Sequence, residues 1–244
     1  MYIQMKKMLG ISAAAILGCL LFTLPAAAGA ILLTYNGPGP NTVNTINLPG
    51  VGNVYSFPYN VNGWPVMCDD AQTDVSAPLT WWADVHYLPT DITQMKFYSE
   101  FATQSAALAA YEEAAIIFYE GATSGNVAWQ AGAQTGTLSA AEGNVAVWSL
   151  FTPSASDGDS AAIIAAAASV VAAGTFNYSN VVFLTPDPSL TLNPPAGSLK
   201  GGLGASQEFI GLASQVESPE AATYALIGAG LLGFGLLNRR RRQA

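Results

Sequence analysis

The C-terminal end of the chain constrains its architecture more than any other segment. An uncharged stretch of 17 residues runs from Ala221 to Leu237, and four consecutive arginines follow it: Arg239, Arg240, Arg241 and Arg242. About 17 apolar residues is the shortest helix that crosses the hydrocarbon of a bilayer. Arginines beside such a helix stay on the cytoplasmic side. The pattern predicts a transmembrane helix at 221–237, with the body of the chain outside the cytoplasm.

The N-terminal segment has the layout of a secretory signal peptide. Two lysines at positions 6–7 precede an apolar run over 8–24, and small residues follow Pro25. A basic, then an apolar, then a small-residue region is the order that such peptides share. We expect residues 1–28 to be removed, with Ala26 and Ala28 before the cut and Gly29 after it. Cleavage after Ala30, an uncleaved anchor and lipidation at Cys19 are the alternatives.

Positive charge is almost confined to the two ends. Between positions 29 and 218 the chain has only Lys96 and Lys200, against 15 acidic residues, and a formal charge of −13. Such a body repels nucleic acid and anionic lipid headgroups. We therefore expect no nucleic-acid partner.

The tail resembles the PEP-CTERM sorting signal of Gram-negative exported proteins. That family has a Pro-Glu-Pro triplet, then Thr, an aromatic residue, a Leu/Gly-rich helix and arginines; the matching residues here are Pro219, Glu220, Thr223 and Tyr224. Ala221 stands where the second proline belongs. The resemblance implies that residues 217–244 are a sorting signal, inserted in the inner membrane. It further implies cutting near Pro219 by an exosortase, with release or surface attachment of the body at the cell envelope. A permanent tail anchor is the alternative.

The body, residues 29–185, is predicted to be one α+β domain, β-rich in its N-terminal half with inserted helices. Runs rich in Val and aromatic residues indicate strands, and Asn62-Gly63 indicates a hairpin turn between two of them. Alanine-rich runs indicate helices, one with a capping box formed by Ser139 and Glu142. The predicted strands are 31–35, 51–61, 64–68, 81–88 and 176–184, and the predicted helices are 101–119, 140–151 and 160–173. Residues 186–216 contain Pro, Gly and Ser throughout, which predicts an extended stalk.

The body also resembles a group of PEP-CTERM exported proteins of unknown function. The similar segments are residues 68–70, 82–83, 111–115, 146–151 and 207–211. The same arrangement is similar to the thioester domains of Gram-positive adhesins, where a Cys thiol is bonded to a Gln two residues before an Ala-aliphatic-Trp run. Cys68 matches the thiol, but Asn144 holds the Gln position with a shorter side chain. The resemblance implies kinship of fold more than thioester chemistry, and a buried, unreactive Cys68 is the alternative.

The remaining candidates have structural interpretations beside functional ones. Asp69, Asp70 and Asp74, or residues 157–159, could bind Ca²⁺, although caps and turns explain them as well. Glu112 and Glu113 could act as acid and base, but neighbouring helical residues point about 100° apart. Tryptophans could form a platform for sugars: Trp64, Trp81, Trp82, Trp129 and Trp148. No nucleotide-binding loop or HExxH helix occurs in the sequence, and we expect no catalytic residue, metal or cofactor.

These features predict an exported structural or adhesive protein of the cell envelope or extracellular matrix, rather than an enzyme. The expected partners are the secretion machinery, an exosortase, the membrane through 221–237, and an exopolysaccharide. One alternative is a secreted carbohydrate-active enzyme that uses Glu112 or Glu113. The other is a binding module that stays anchored in the membrane.

Overall fold

The computed structural model describes residues 30–38, 45–48, 52–71, 74–75, 79–128, 137–187, 199–200, 207–216 and 228. All but the last belong to one compact unit, Ala30–Glu217. The predicted signal peptide and sorting residues lie outside the described residues, as does the predicted membrane helix except for Gly228. Within the described part of the chain, no helix is both long and apolar enough to cross a membrane.

Six antiparallel strands close into a barrel in the order β1-β4-β5-β12-β10-β7. Three further pairs of short strands lie outside it: β2 with β3, β6 with β11, and β8 with β9. The strands are β1 Ile31–Pro38, β2 Thr45–Leu48, β3 Gly52–Tyr55, β4 Tyr59–Val61, β5 Trp64–Cys68, β6 Asp74–Val75, β7 Leu79–His86, β8 Asn126–Ala128, β9 Thr137–Ser139, β10 Val181–Pro186, β11 Leu199–Lys200 and β12 Phe209–Leu212.

Four aromatic side chains from the barrel strands pack together in one buried cluster. The ring of Phe209 lies 5.8 Å from that of Trp81, 5.9 Å from that of Tyr59 and 6.4 Å from that of Tyr35, between centroids. Alternate strand residues face opposite sides, so Trp81 is buried while Trp82 is partly exposed. These four strands are therefore held together by one shared aromatic cluster.

The helices pack on one another and on the strands. They are α1 Gln104–Ser124, α2 Ala140–Phe151, α3 Ser160–Ala173 and the short α4 Ala213–Val216, with 3-10 turns at Ile92–Gln94, Tyr98–Glu100 and Tyr178–Asn180. One buried cluster joins Ile117 of α1, Val147 of α2 and Ile163 of α3 to Phe183 and Ile210 of the barrel. The helices thus pack against the barrel, and the predicted α+β class is confirmed.

Several local predictions are confirmed. Asn62 and Gly63 both have positive φ, 54° and 84°, as a tight hairpin turn between β4 and β5 requires. Ser139 and Glu142 form the capping box at the start of α2. The predicted helix 160–173 is present as α3, which Gly174 ends in the left-handed conformation. Sequence signals that act over three or four residues are therefore reliable here.

The prediction of an extended stalk over 186–216 is wrong for its last ten residues, 207–216. Residues 207–210 are buried, and β12 pairs with both β5 and β10, so it completes the barrel. The short segment Phe209–Leu212 lies beyond a Pro- and Gly-rich stretch, and its partners are distant in sequence. The domain consequently extends at least to Val216 and does not end at residue 185.

Candidate functional site

The strand register places two carboxyl groups opposite each other at one end of the barrel. Phe209 pairs with Cys68, and Ile210 with Met67. Continuing this register by one residue sets Glu208 beside Asp69. Both side chains are fully buried. Like charges at facing positions repel, so this pair must be neutralised in the folded protein.

Glu208 is the acceptor at the centre of a hydrogen-bond network. Its Oε1 accepts from the Tyr111 hydroxyl at 2.9 Å, and its Oε2 accepts from the Lys96 main-chain N–H at 3.0 Å and from the Thr185 hydroxyl. The Tyr111 oxygen in turn accepts from the Phe97 N–H at 2.9 Å. These donors come from a strand, a helix and a connecting loop, so that the Glu208 carboxyl group ties three elements together.

Asp69 differs from Glu208 in its hydrogen bonding. Neither of its carboxyl oxygens has a hydrogen-bond donor in the described part of the chain. Burial first, and then the charge and the side-chain contact of Glu208, raise the pKa of Asp69 well above its usual value. We infer that Asp69 is protonated and donates to Glu208, so that the two carboxyl groups share one proton.

Lys96 lies beside the Asp69–Glu208 pair and forms an ion pair with the next residue in the chain, Asp70. The Nζ atom of Lys96 is 2.5 Å from Oδ2 of Asp70, which is 3% exposed. Burial lowers the pKa of Lys96, whereas the neighbouring carboxylate of Asp70 raises it. The effect of Asp70 is the larger, so the pKa of Lys96 lies above its usual value. The ion pair therefore keeps its charges although it is largely removed from solvent.

Tyr111 and Cys68 remain in their neutral forms. Burial, followed by the charge of Glu208, raises the pKa of the Tyr111 hydroxyl. Burial, followed by the charge of Asp70, raises the pKa of the Cys68 thiol well above its usual value. Because the thiolate is the nucleophile, Cys68 is poorly suited to covalent chemistry in this setting.

The structure brings Cys68 and Asn144 together, but not as thioester partners. Asn144 is fully buried, and its Nδ2 donates to the main-chain carbonyl of Cys68 at 2.7 Å. Its Oδ1 accepts from the Phe57 N–H at 2.9 Å. The thiol instead makes contacts with the main chain of Asp70. The amide of Asn144 thus links α2 to the main chain at the end of β5 and to that of the segment between β3 and β4.

A second group of carboxyl side chains lies on α1. Glu112 and Glu113 are both partly buried, and burial raises the pKa of each. For Glu113 the charge of Glu112 adds to this effect, and its pKa is about 7. Burial and both glutamates raise the pKa of Tyr178 to about 12. These three side chains are therefore neighbours, which the sequence did not indicate for Tyr178.

The other candidates are distributed over the surface and the core. Trp81 and Trp148 are buried, Trp64 and Trp82 are partly exposed, and Trp129 lies outside the described residues. Asp157 serves α3 as a cap, because its Oδ1 accepts from both the N–H and the hydroxyl of Ser160. No group of three or more His, Cys, Asp or Glu residues in the described ranges is placed to hold a metal ion.

No protein-family model, no curated protein and no solved structure matches this chain. The interpretation of the carboxyl cluster therefore rests on its own geometry. Sequence reasoning singled out Asp69 and Asp70 only as possible calcium ligands, and it assigned no role to Glu208, Thr185 or Tyr111. The two motifs that carry the carboxyl pair, Cys-Asp-Asp and Gln-Glu-Phe, are both present in the sequence, but they are 139 positions apart.

Proposed function

We propose that this chain is an exported protein of the cell envelope or extracellular matrix, with a structural or adhesive role. On this proposal a PEP-CTERM tail sorts the protein, residues 1–28 are removed, and an exosortase cuts near Pro219. The body then acts as a rigid acidic domain outside the cytoplasm.

The charge distribution is the observation that carries the proposal. Six of eight cationic residues lie at 6–7 and 239–242, each group beside an apolar stretch. The body has two lysines, and Lys96 is paired with Asp70 in the interior. Cationic groups that flank apolar segments stay in the cytoplasm, and the acidic domain between them is suited to the outside.

The geometry of the carboxyl cluster supports a structural role for it. Asp69 and Glu208 are 0% exposed, Asp70 is 3% exposed, and all three are engaged with neighbouring side or main chains. A catalytic pair needs access to its substrate. These groups instead join β5, β10 and β12 to α1 and to the loop that carries Lys96, which rigidifies the domain.

Intact-mass measurement of the protein from its native host tests the proposal. We expect a body that begins at Gly29 and ends near Pro219 in the medium or on the cell surface. A chain that still carries Arg239 to Arg242 and is found only in membranes would contradict sorting by an exosortase. That result would favour the permanently anchored binding module.

A carbohydrate-active enzyme is the second candidate. Glu113 has a pKa of about 7 and lies beside Glu112 and Tyr178 on a partly exposed part of α1. A carboxyl group that titrates near neutral pH is suited to proton transfer. Release of reducing ends from host polysaccharide, lost in both Glu112→Gln and Glu113→Gln, would support this candidate. Saturable binding without turnover would support the adhesive role.

A further inference from the structure

The contact between Lys96 and Asp70 holds an amine nitrogen against a carboxyl group in the interior of the domain. An amine nitrogen and a carboxyl oxygen lie 2.5 Å apart, Asp70 is almost fully buried, and Lys96 is 22% exposed. Two residues that are 26 positions apart are thus held in contact with little water between them. Such fixed proximity replaces a bimolecular encounter and can contribute many powers of ten to a rate.

The carboxyl pair formed by Asp69 and Glu208 is adjacent to this contact. Asp69 precedes Asp70 in the chain, and Glu208 accepts a hydrogen bond from the main-chain nitrogen of Lys96 at 3.0 Å. Both oxygens of Asp69 are buried and have no donor in the described part of the chain. A buried carboxyl pair with one shared proton can give a proton to a neighbouring group and take one back.

We propose that Lys96 and Asp70 become joined by an intramolecular amide bond, with the Asp69–Glu208 pair as the proton relay. The bond joins Nζ of Lys96 to Cγ of Asp70. It covalently ties the loop between β7 and α1 to the end of β5.

The reaction is a dehydration and needs no oxidant or reductant. One proton passes from the ammonium of Lys96 to the carboxylate of Asp70, which leaves a neutral amine facing a neutral carboxylic acid. The Nζ lone pair attacks Cγ, a second Nζ proton goes to the carboxyl pair, and the pair protonates the departing hydroxyl. The ammonium and the carboxylate thus give one amide and one water, and the carboxyl pair ends as it began. The ion pair opposes the first transfer, whereas removal from solvent favours the neutral forms.

Such a bond would stabilise a domain that cannot form an internal disulfide. Cys68 is the single cysteine after position 19, and it is a free buried thiol. No intramolecular disulfide can therefore form in the body. An amide cross-link restricts the unfolded chain much as a disulfide does, and it is insensitive to reduction.

Tryptic digestion of the denatured full-length protein tests the proposal on a single sample. Between residues 29 and 218 trypsin can cut only after Lys96 and Lys200. An amide on Nζ removes the charge that trypsin recognises, so we expect no cut after Lys96. The peptide that contains Asp70 would then continue to Lys200 and be lighter by one water, about 18 Da. A peptide of full mass that ends at Lys96 would overturn the proposal.

Loss of water without protection of Lys96 would also overturn it, because a cyclic imide at an aspartate gives the same mass. Two variants sharpen the assignment. Lys96→Arg keeps the ion pair but not the amine, and we expect full mass with a normal cut after position 96. Asp70→Asn would release ammonia in place of water, so the loss changes to about 17 Da.

The role of the carboxyl pair has its own control. Asp69→Asn keeps a hydrogen-bond donor toward Glu208 but cannot relay a proton. We expect this variant to fold, as judged by circular dichroism, and to show a cut after Lys96. Complete cross-linking in Asp69→Asn would remove the proton relay from the proposal.

Discussion

The side-chain amide of Asn144 donates a 2.7 Å hydrogen bond to the main-chain carbonyl oxygen of Cys68. Its oxygen accepts from the main-chain nitrogen of Phe57 at 2.9 Å. One buried side chain thus satisfies two buried main-chain groups, one at the end of β5 and one just before β4. Because Asn144 lies on α2, it fixes that helix to the barrel through the backbone and not only through apolar packing.

Asn144→Ala is expected to destabilise the protein by about 2–6 kcal/mol. The substitution leaves a buried N–H and a buried C=O without partners, at about 1–3 kcal/mol each. The free energy of unfolding from urea titration measures the effect. Ser139→Ala is the matched control on the same helix, where loss of the cap should cost about 1 kcal/mol. An equal cost for the two variants would show that the Asn144 contacts do not anchor α2.

Cys68 is expected to resist alkylation in the native protein and to react once the chain unfolds. The thiol is buried, and burial together with the neighbouring aspartates raises its pKa. Iodoacetamide followed by mass measurement should add nothing at pH 8 to the folded protein and one carbamidomethyl group in denaturant.

The same experiment tests the thioester. A Cys68–Asn144 thioester would lower the mass of the protein by about 17 Da through loss of ammonia, and it would block alkylation of Cys68 even after unfolding. We expect neither. Rapid alkylation of the folded protein would contradict the burial of Cys68, and a blocked thiol with the lower mass would restore the thioester.

Stability is expected to fall as the pH rises from 5 to 8. The pKa of Asp69 is raised in the folded state, so the folded protein binds a proton that the unfolded chain releases near pH 4. The associated stability is present below the unfolded pKa and is lost as the pH approaches the folded pKa. One such proton gives a slope of up to about 1.4 kcal/mol per pH unit. Urea titrations at pH 5, 6, 7 and 8 measure it.

Two variants separate the groups that contribute to this slope. Asp69→Asn imitates the protonated acid, and we expect a flatter profile with no loss of stability at pH 8. Glu113 acts in the same direction, since its folded pKa is about 7, and Glu113→Gln should remove only that smaller part. An unchanged slope in Asp69→Asn would refute the shared proton.

Turns and helix caps could be predicted from the sequence because they depend on neighbouring residues. Contacts that depend on the register of distant strands could not be predicted. The hairpin at Asn62-Gly63 and the start of α2 at Ser139 follow from local chemistry, and both predictions are confirmed. Asp69 and Glu208 are 139 positions apart, and they meet only because β12 pairs with β5. Nothing in the local sequence specifies this pairing. A Pro- and Gly-rich neighbourhood made the four residues of β12 look like stalk, although their burial arises only when the barrel closes.

The pair Trp81 and Trp82 offers the sharpest test of the proposed adhesive surface. Trp81 is 2% exposed and packs on Phe209, whereas Trp82 is partly exposed and pairs across strands with Leu32, which is 42% exposed. Trp81→Ala should cost about 3–5 kcal/mol of unfolding free energy because it leaves a cavity.

Trp82→Ala should instead weaken binding to exopolysaccharide from the native host by about fivefold or more, which corresponds to about 1 kcal/mol. Co-sedimentation with the polysaccharide measures the affinity, and urea titration shows that the variant remains folded. Leu32→Ala is the matched control, because it alters the same outer face without removing an aromatic ring. If Trp82→Ala and Leu32→Ala both bind as the wild type does, the outer face of β1 and β7 is not the sugar-binding surface.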